Sequence, residues 1–486
     1  MAILLILKDA LSLRAVPKAI KRCFSCLPSL KNARIATHST LSRWIKRVGL
    51  YKLTQPLEIA DDWIAIIDAS ISIGNQKCLM ILGIRRKIFL EIIKEGRALS
   101  LEDVKVLHMK LAKSINSQLV YEALKNSEKR IGHFSQTCGD GGSEVIGGVK
   151  LLQKDAEANG RVIRHMYDVA HKMACFLKAE FAEDPQWKAF ISEAAASKLK
   201  LQLGEWGHLC SPNQRSKSRY MNMEQLVGWA IKMLTILNDP KDPSHKDALD
   251  HFIWVKKYES MIQRIGEHLV ITGEIRHKIR MEGVTSKTHL ELVNRYLSMP
   301  MSMRTSDFCG KILDFFESST AGLGPEEHLL GLSEIIESLF GKLKNLIRED
   351  LKKGFTGSVL FAAACVGKID DIVVKEAMET ITDKGVKQWV EKNIGETFVQ
   401  KRRRCLGHNR KKPGRKAVQK NIRALVVPIS VAEEAMEIVA DKEVKQGVRK
   451  KFIQKWRRCL GHRRKKLRRS MGQKHAGTPV VPVSVN

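Results

Sequence analysis

Hydrophobic positions change period along the chain, and the changes mark out its elements. In His38–Val48 (HSTLSRWIKRV), Leu41, Trp44, Ile45 and Val48 share one helical face, Arg43, Lys46 and Arg47 take the other, and Gly49 is a plausible stop. From Asp62 the spacing is that of strands: WIAIIDASISIGNQKCLMILGI is apolar on both faces up to Asp68, turns at Gly74 and Asn75, and returns as CLMILGI. Two buried neighbouring strands follow. KIFLEII predicts a third short strand, and a helix from about Ser100 to Lys125, capped by Ser100, comes next. A fourth strand ends at Cys138–Gly139–Asp140, a helix opens after the glycines and runs to about Glu157, and VIRHMYDV predicts a fifth strand with a helix behind it. From about Phe181 to Gly324 only helical spacing occurs, with Trp187, Trp206, Trp229 and Trp254 available for a core. A last helix begins at Ser333, and Gly354 closes it or the loop beyond. Ile335, Ile336, Leu339 and Leu343 are spaced to hold that helix on the sheet.

The order β-β-β-α-β-α-β-α predicts an α/β core of the RNase H kind, a mixed five-stranded sheet with helices, interrupted by a large all-α insertion. The expected divisions are a helical, helix-turn-helix-like DNA-binding segment over 1–54, the first part of the core over 55–180, the insertion over 181–325, the final core helix and following helices over 326–400, and a basic tail over 401–486. The segment 1–54 has Arg43, Lys46 and Arg47 on its reader face, and a solvated amphipathic helix is the competing reading.

Charge changes the picture of the partner. The 486 residues carry 84 Lys and Arg against 52 Asp and Glu, a net +32, which points to a polyanion and to nucleic acid first. No apolar run approaches the roughly 18 to 20 residues that span a bilayer. Met1–Leu7 is apolar but is cut off by Lys8 and Asp9, so neither signal peptide nor anchor is expected, and the expected location is cytoplasmic and nucleoid-associated. The 10 Cys, scattered through a chain with no export signal, predict reduced thiols. Residues 401–486 hold 26 Lys and Arg against 5 Asp and Glu, so most of the excess charge lies there. This region also takes part in a duplication, because EAMETITDKGVKQWV…FVQKRRRCLGH (Glu376 to His408) recurs as EAMEIVADKEVKQGV…FIQKWRRCLGH (Glu434 to His462). The duplication accounts for Cys405-x-x-His408 and Cys459-x-x-His462 without zinc, and Cys23-x-x-Cys26 has no matching pair nearby.

Candidate chemistry rests on carboxylates. Cleavage of a phosphodiester by two divalent metals requires three or more of them converging on ions about 3.5 to 4 Å apart. Asp68 ends the first strand, Asp140 ends the fourth, and Glu337 lies one turn into the last helix, although a strand-end Asp taken alone is often only a turn residue or a cap. Glu334 shares a face with Glu337, but in the first turn behind Ser333 the helix dipole already explains it. Gly139, Gly141 and Gly142 suit either a tight turn or close approach of DNA. Asp168 and His171 suit a metal or a helix cap, and Arg215, Lys217, Arg219 and Lys344 suit phosphate contacts or a solvated face.

The stretches WIAIIDASISIGNQKCLMILGI, CGDGGSEVIGGVKLL, YDVAHKMACFLK and SEIIESLFGKLKNL resemble successive blocks of a family of bacterial insertion-sequence DDE transposases, over roughly Ile59 to Arg404. The resemblance implies that Asp68, Asp140 and Glu337 (in ES-x-F-G-x-L-K) are the catalytic triad, with Mg²⁺ as cofactor and Mn²⁺ able to substitute. It also implies double-stranded DNA, both transposon ends and target, as the partner of a homo-oligomer. A catalytically inactive or regulatory derivative and a structure-selective nuclease on the same core are the alternatives. The tail duplication departs from the pattern.

Overall fold

The computed structural model describes residues 1–405 apart from 31, 74–75, 215–219, 221, 348–355, 396–399 and 401–403. The chain divides into two compact units, Met1–Cys405 and Leu406–Asn486, and the second lies outside the described residues. So do Arg215, Lys217, Arg219 and the second copy of the duplication.

The first unit opens with α1 (Ala2–Leu7), α2 (Ala15–Ser25) and α3 (His38–Thr54), followed by β1 (Ala60–Ile73) and β2 (Gln76–Arg85). KIFLEII is a helix, α4 (Arg86–Lys94), and the third strand is β3 (Lys105–Ala112). In α4 the apolar residues fall a turn apart, so Phe89 and Ile92 bury one face, whereas β3 lies within the stretch expected to be helical and buries Val106, Leu107, Met109 and Leu111. Then follow α5 (Ser117–Ile131), capped by Asn116 where Ser100 was expected, β4 (Gly132–Gly139), α6 (Ser143–Ala158), β5 (Arg164–Tyr167) and α7 (Val169–Phe181).

The strands form one mixed sheet in the order β3-β2-β1-β4-β5. The β1–β2 and β2–β3 pairs are antiparallel; β1–β4 and β4–β5 are parallel. This topology is compatible with an RNase H-like core. Alternation divides the residues of β1 between two layers. Trp63, Ala65 and Ile67 pack against α5 and α6, while Ile64 and Ile66 pack with α3 and the later α14 (Glu334–Leu346). Each such isoleucine, fully buried, contributes about 1.5–3 kcal/mol. Asp68 shares the parity of Ile64 and Ile66, which assigns it to the layer of α14.

Between β5 and α14 the chain is helical: α7, α8 (Pro185–Leu201), α9 (Met223–Asn238), α10 (His245–Phe252), α11 (Glu259–Glu282), α12 (Thr288–Leu297) and α13 (Met303–Thr320). These helices have a separate apolar core, in which Trp187 is buried and Trp229 and Trp254 are half-buried beside Phe190 and Phe252. That core already includes α7, ahead of the expected boundary at 181. The region is not wholly α, since β6 (Val284–Thr285) pairs antiparallel with β7 (His328–Leu329). Among the described residues no helix is long and apolar enough to cross a membrane.

The N-terminal segment corrects an expectation. Residues 26–37 separate α2 from α3, far more than the three or four of a helix-turn-helix. Gly49 does not stop α3; it lies mid-helix, where an added Cβ would meet the Leu360 carbonyl oxygen at 2.0 Å. Helices α15 (Leu360–Ala364), α16 (Asp371–Thr380) and α17 (Asp383–Asn393) pack onto α3. Arg43 pairs with Asp383 at 3.2 Å, Arg47 donates to the Met378 carbonyl, and Lys46 lies beside Gly357. Buried Lys52 donates to the carbonyls of Val366, Gly367 and Lys368. On the proposed reader face Lys46 and Arg47 are thus half-buried and Arg43 stays exposed, while the opposite face of α3 is built into the sheet's core.

Candidate active site

The parallel strands place three aspartates in one row. Ile67 is paired with Gly139, and Gly139 with Tyr167, so Asp68 of β1 and the residues that directly follow β4 and β5, Asp140 and Asp168, come next in three adjacent parallel chain segments. Neighbouring strands lie about 4.8 Å apart, which brings the three aspartates to the same end of the sheet. Asp68 is buried. Asp140 is half-buried, and its Oδ1 accepts the Gly142 N–H at 3.2 Å. An added Cβ on Gly141 would meet the Tyr167 hydroxyl at 2.0 Å. The glycine at 141 therefore admits the Tyr167 ring, not DNA directly.

Asp168 is almost fully buried and joins two helix N-termini. Its Oδ1 accepts the backbone N–H of His171 at 2.8 Å as the cap of α7, and its Oδ2 accepts both the N–H and the hydroxyl of Ser333, the residue before α14. Burial opposes its charge, but His171 and Ser333 outweigh that and hold the carboxyl below the usual range. A second clasp lies beneath it. The buried Gln136 amide donates to the Leu330 carbonyl at 2.8 Å and accepts the Leu330 N–H at 3.1 Å, and Val169 N–H reaches the Gly331 carbonyl at 2.9 Å. Together these contacts fix where α14 begins and hence where Glu337 stands. Ile336, Leu339 and Leu343 anchor the helix, as their spacing predicts.

Glu337 and Glu334 separate cleanly. Arg280 of α11 grips Glu334 through contacts of 2.7–3.0 Å, and Arg276 lies 3.8 Å away. Glu337 faces the aspartate row, its Oε1 lying 3.6 Å from His171 Nε2. Its carboxyl is raised by burial and by the like charges of Asp168, Asp68 and Glu334, with His171 opposing. Burial depresses His171, yet Asp168, Glu337 and Asp140 prevail and raise it to about 9, so the imidazolium stands among carboxylates at neutral pH. His171 Nδ1 is 3.3 Å from Asp168 Oδ1 without the alignment of a hydrogen bond; the contact is an ion pair.

Asp68, Asp140 and Glu337 offer oxygen donors only, the chemistry that Mg²⁺ requires. Among the described residues no three His, Cys, Asp or Glu side chains stand at the spacing of a metal site. Asp168 spends one oxygen on capping α7 and the other on Ser333 at the start of α14. Lys344 is exposed, in the last turn of α14.

Gln136, one of three consecutive polar residues in FSQTCG, had no distinguishing sequence signal, and neither had Arg280, because its partner lies 54 positions away. No protein-family model matches the chain, and no curated protein matches it in sequence. Among solved structures the chain is similar to the Drosophila P element transposase strand transfer complex, at 13% identity over 76% of this chain and 91% of that one, with a TM-score of 0.34. A match this loose carries no residue-level correspondence.

Proposed function

We propose that the chain is a DDE-type transposase of the bacterial insertion-sequence kind, acting on double-stranded DNA as a homo-oligomer. What supports this reading most is that Asp68 and Asp140 directly follow a paired position on neighbouring parallel strands, while the charge of Asp68 acts on Glu337 and His171 feels both Glu337 and Asp140. A cluster of like charges is destabilising in itself, which is the cost expected of a cation-binding catalytic site. Divalent metal, Mg²⁺ with Mn²⁺ as substitute, held by these three carboxylates supplies charge neutralisation at the phosphate and an activated water. In the first step water attacks the scissile phosphorus and the strand leaves with a free 3′ hydroxyl. In the second, that hydroxyl attacks a phosphate of target DNA, displaces the target's own 3′ oxygen and joins the strands. Asp168 and Gln136 hold α14 in register for both steps. The His171 imidazolium offsets the negative charge. Lys344, together with Arg215, Lys217 and Arg219, is assigned to the phosphate backbone.

The test is strand transfer. The full chain is mixed with Mg²⁺, a plasmid and a pre-cut oligonucleotide taken from inverted repeats flanking the gene. Joining of oligonucleotide to plasmid is expected, with loss of joining in Glu337→Gln. Cutting without any joining would replace the transposase with a structure-selective nuclease.

A further inference from the structure

Beside the carboxylates a lysine stands among three aromatic rings. Lys172 Nζ lies 5.4 Å from the ring centroid of Tyr167, 5.1 Å from that of Phe176 and 5.5 Å from that of Phe315. Two of these residues flank the Asp168–His171 turn, Phe176 is one turn along α7, and Phe315 comes from α13, edge-on to Phe176 at 6.4 Å. All four side chains are half-buried, so the rings keep accessible surface that a closed core would not leave. The cluster is continuous with the candidate active site, because Tyr167 packs directly on Gly141, the neighbour of Asp140. A cation over half-exposed aromatic faces is held weakly enough for a phosphate to draw the ammonium away.

We propose that Tyr167, Phe176 and Phe315 form a stacking surface for an unpaired nucleobase of the strand bound at the carboxylates, with Lys172 moving from the rings to that nucleotide's phosphate. The proposal rests on the reading of the site as one that processes DNA. Only a base outside the duplex stack has a free face to offer, so the rings select for an unpaired nucleotide, whereas Lys172 alone would serve any phosphate.

Fluorescence anisotropy of the full chain without divalent metal tests this on two probes, a blunt duplex and the same duplex with a short thymidine overhang. Wild type is expected to bind the overhang more tightly. Phe176→Leu and Phe315→Leu keep the apolar packing and are each expected to weaken overhang binding about fivefold or more, leaving the blunt duplex unchanged, while Phe315→Tyr retains the preference. Lys172→Gln is expected to weaken both probes and lower the salt slope by about one phosphate contact. Equal losses on both probes in the leucine variants, or none on either, would overturn the stacking surface. If that happens while Asp68→Asn still abolishes metal-dependent cutting, the active-site reading stands alone. A wild-type chain that binds neither probe overturns both.

Discussion

His268 shows at the residue scale what burial costs a titrating side chain. It is fully buried in α11, its ring stacks on Phe308 with centroids 4.2 Å apart, and neither ring nitrogen has a partner. Burial, then the charges of Arg264 and Lys311, lower it to about 4. An unfolded histidine titrates near 6.5, so the stabilising neutral form is fully favoured above that pH, and stability is lost as pH falls from about 6.5 towards 4. His108 and His165, both lowered to about 4 by burial, act in the same direction. Thermal melts between pH 7 and pH 4.5 are therefore expected to fall steadily, and more shallowly in His268→Phe, which keeps the ring and removes the proton site. Parallel curves for the two proteins would remove His268 from the account. The ion pair of His171 runs the other way: with the imidazole raised to about 9, its contribution to stability in the metal-free protein is full below about 6.5 and is lost as pH rises from there through about 9.

Helix α14 shows at the element scale how the position of Glu337 is held. Asp168→Ala leaves the Ser333 and His171 N–H groups without their charged acceptor, and a buried hydrogen bond to a charged group is worth about 1.5–3 kcal/mol. Asp168→Ala is expected to lower the melting temperature well below that of Asp68→Ala, with differential scanning calorimetry as the check. Equal stability of the two variants would show that Asp168 does not position the helix. Gly49→Ala, which drives a methyl into the Leu360 carbonyl, is expected to cost about 1–3 kcal/mol by the same measurement. These contacts also explain which elements the sequence revealed. Strands β1, β2, β4 and β5 and helix α14 were legible because their apolar spacing and their turn residues agree. KIFLEII was ambiguous, since seven residues with apolar positions at both adjacent and one-turn separations fit either period, and tertiary packing of Phe89 and Ile92 decided for helix. Charge alone does not reveal that Arg43 and Arg47 on the basic face of α3 have partners within the chain, Asp383 and the Met378 carbonyl, more than 300 positions away.

At the scale of the whole molecule, the described residues are followed by a strongly basic tail. We propose that 406–486, outside the described residues, adds affinity for DNA of any sequence through phosphate neutralisation. The logarithm of the binding constant falls with that of salt by about 0.9 per phosphate contacted on duplex DNA, so truncation after 405 should flatten that slope and weaken all sequences alike. An unchanged slope would leave the tail's charge without a role in binding. The central claim concerns the carboxylates, and supercoiled plasmid nicking in Mn²⁺ tests it without knowledge of the element's ends. The wild-type chain is expected to nick, Asp68→Asn, Asp140→Asn and Glu337→Gln each to lose activity by about a thousandfold or more, and Glu334→Gln, whose carboxylate belongs to Arg280, to retain it. Nicking that survives in Glu337→Gln and vanishes in Glu334→Gln would contradict the account.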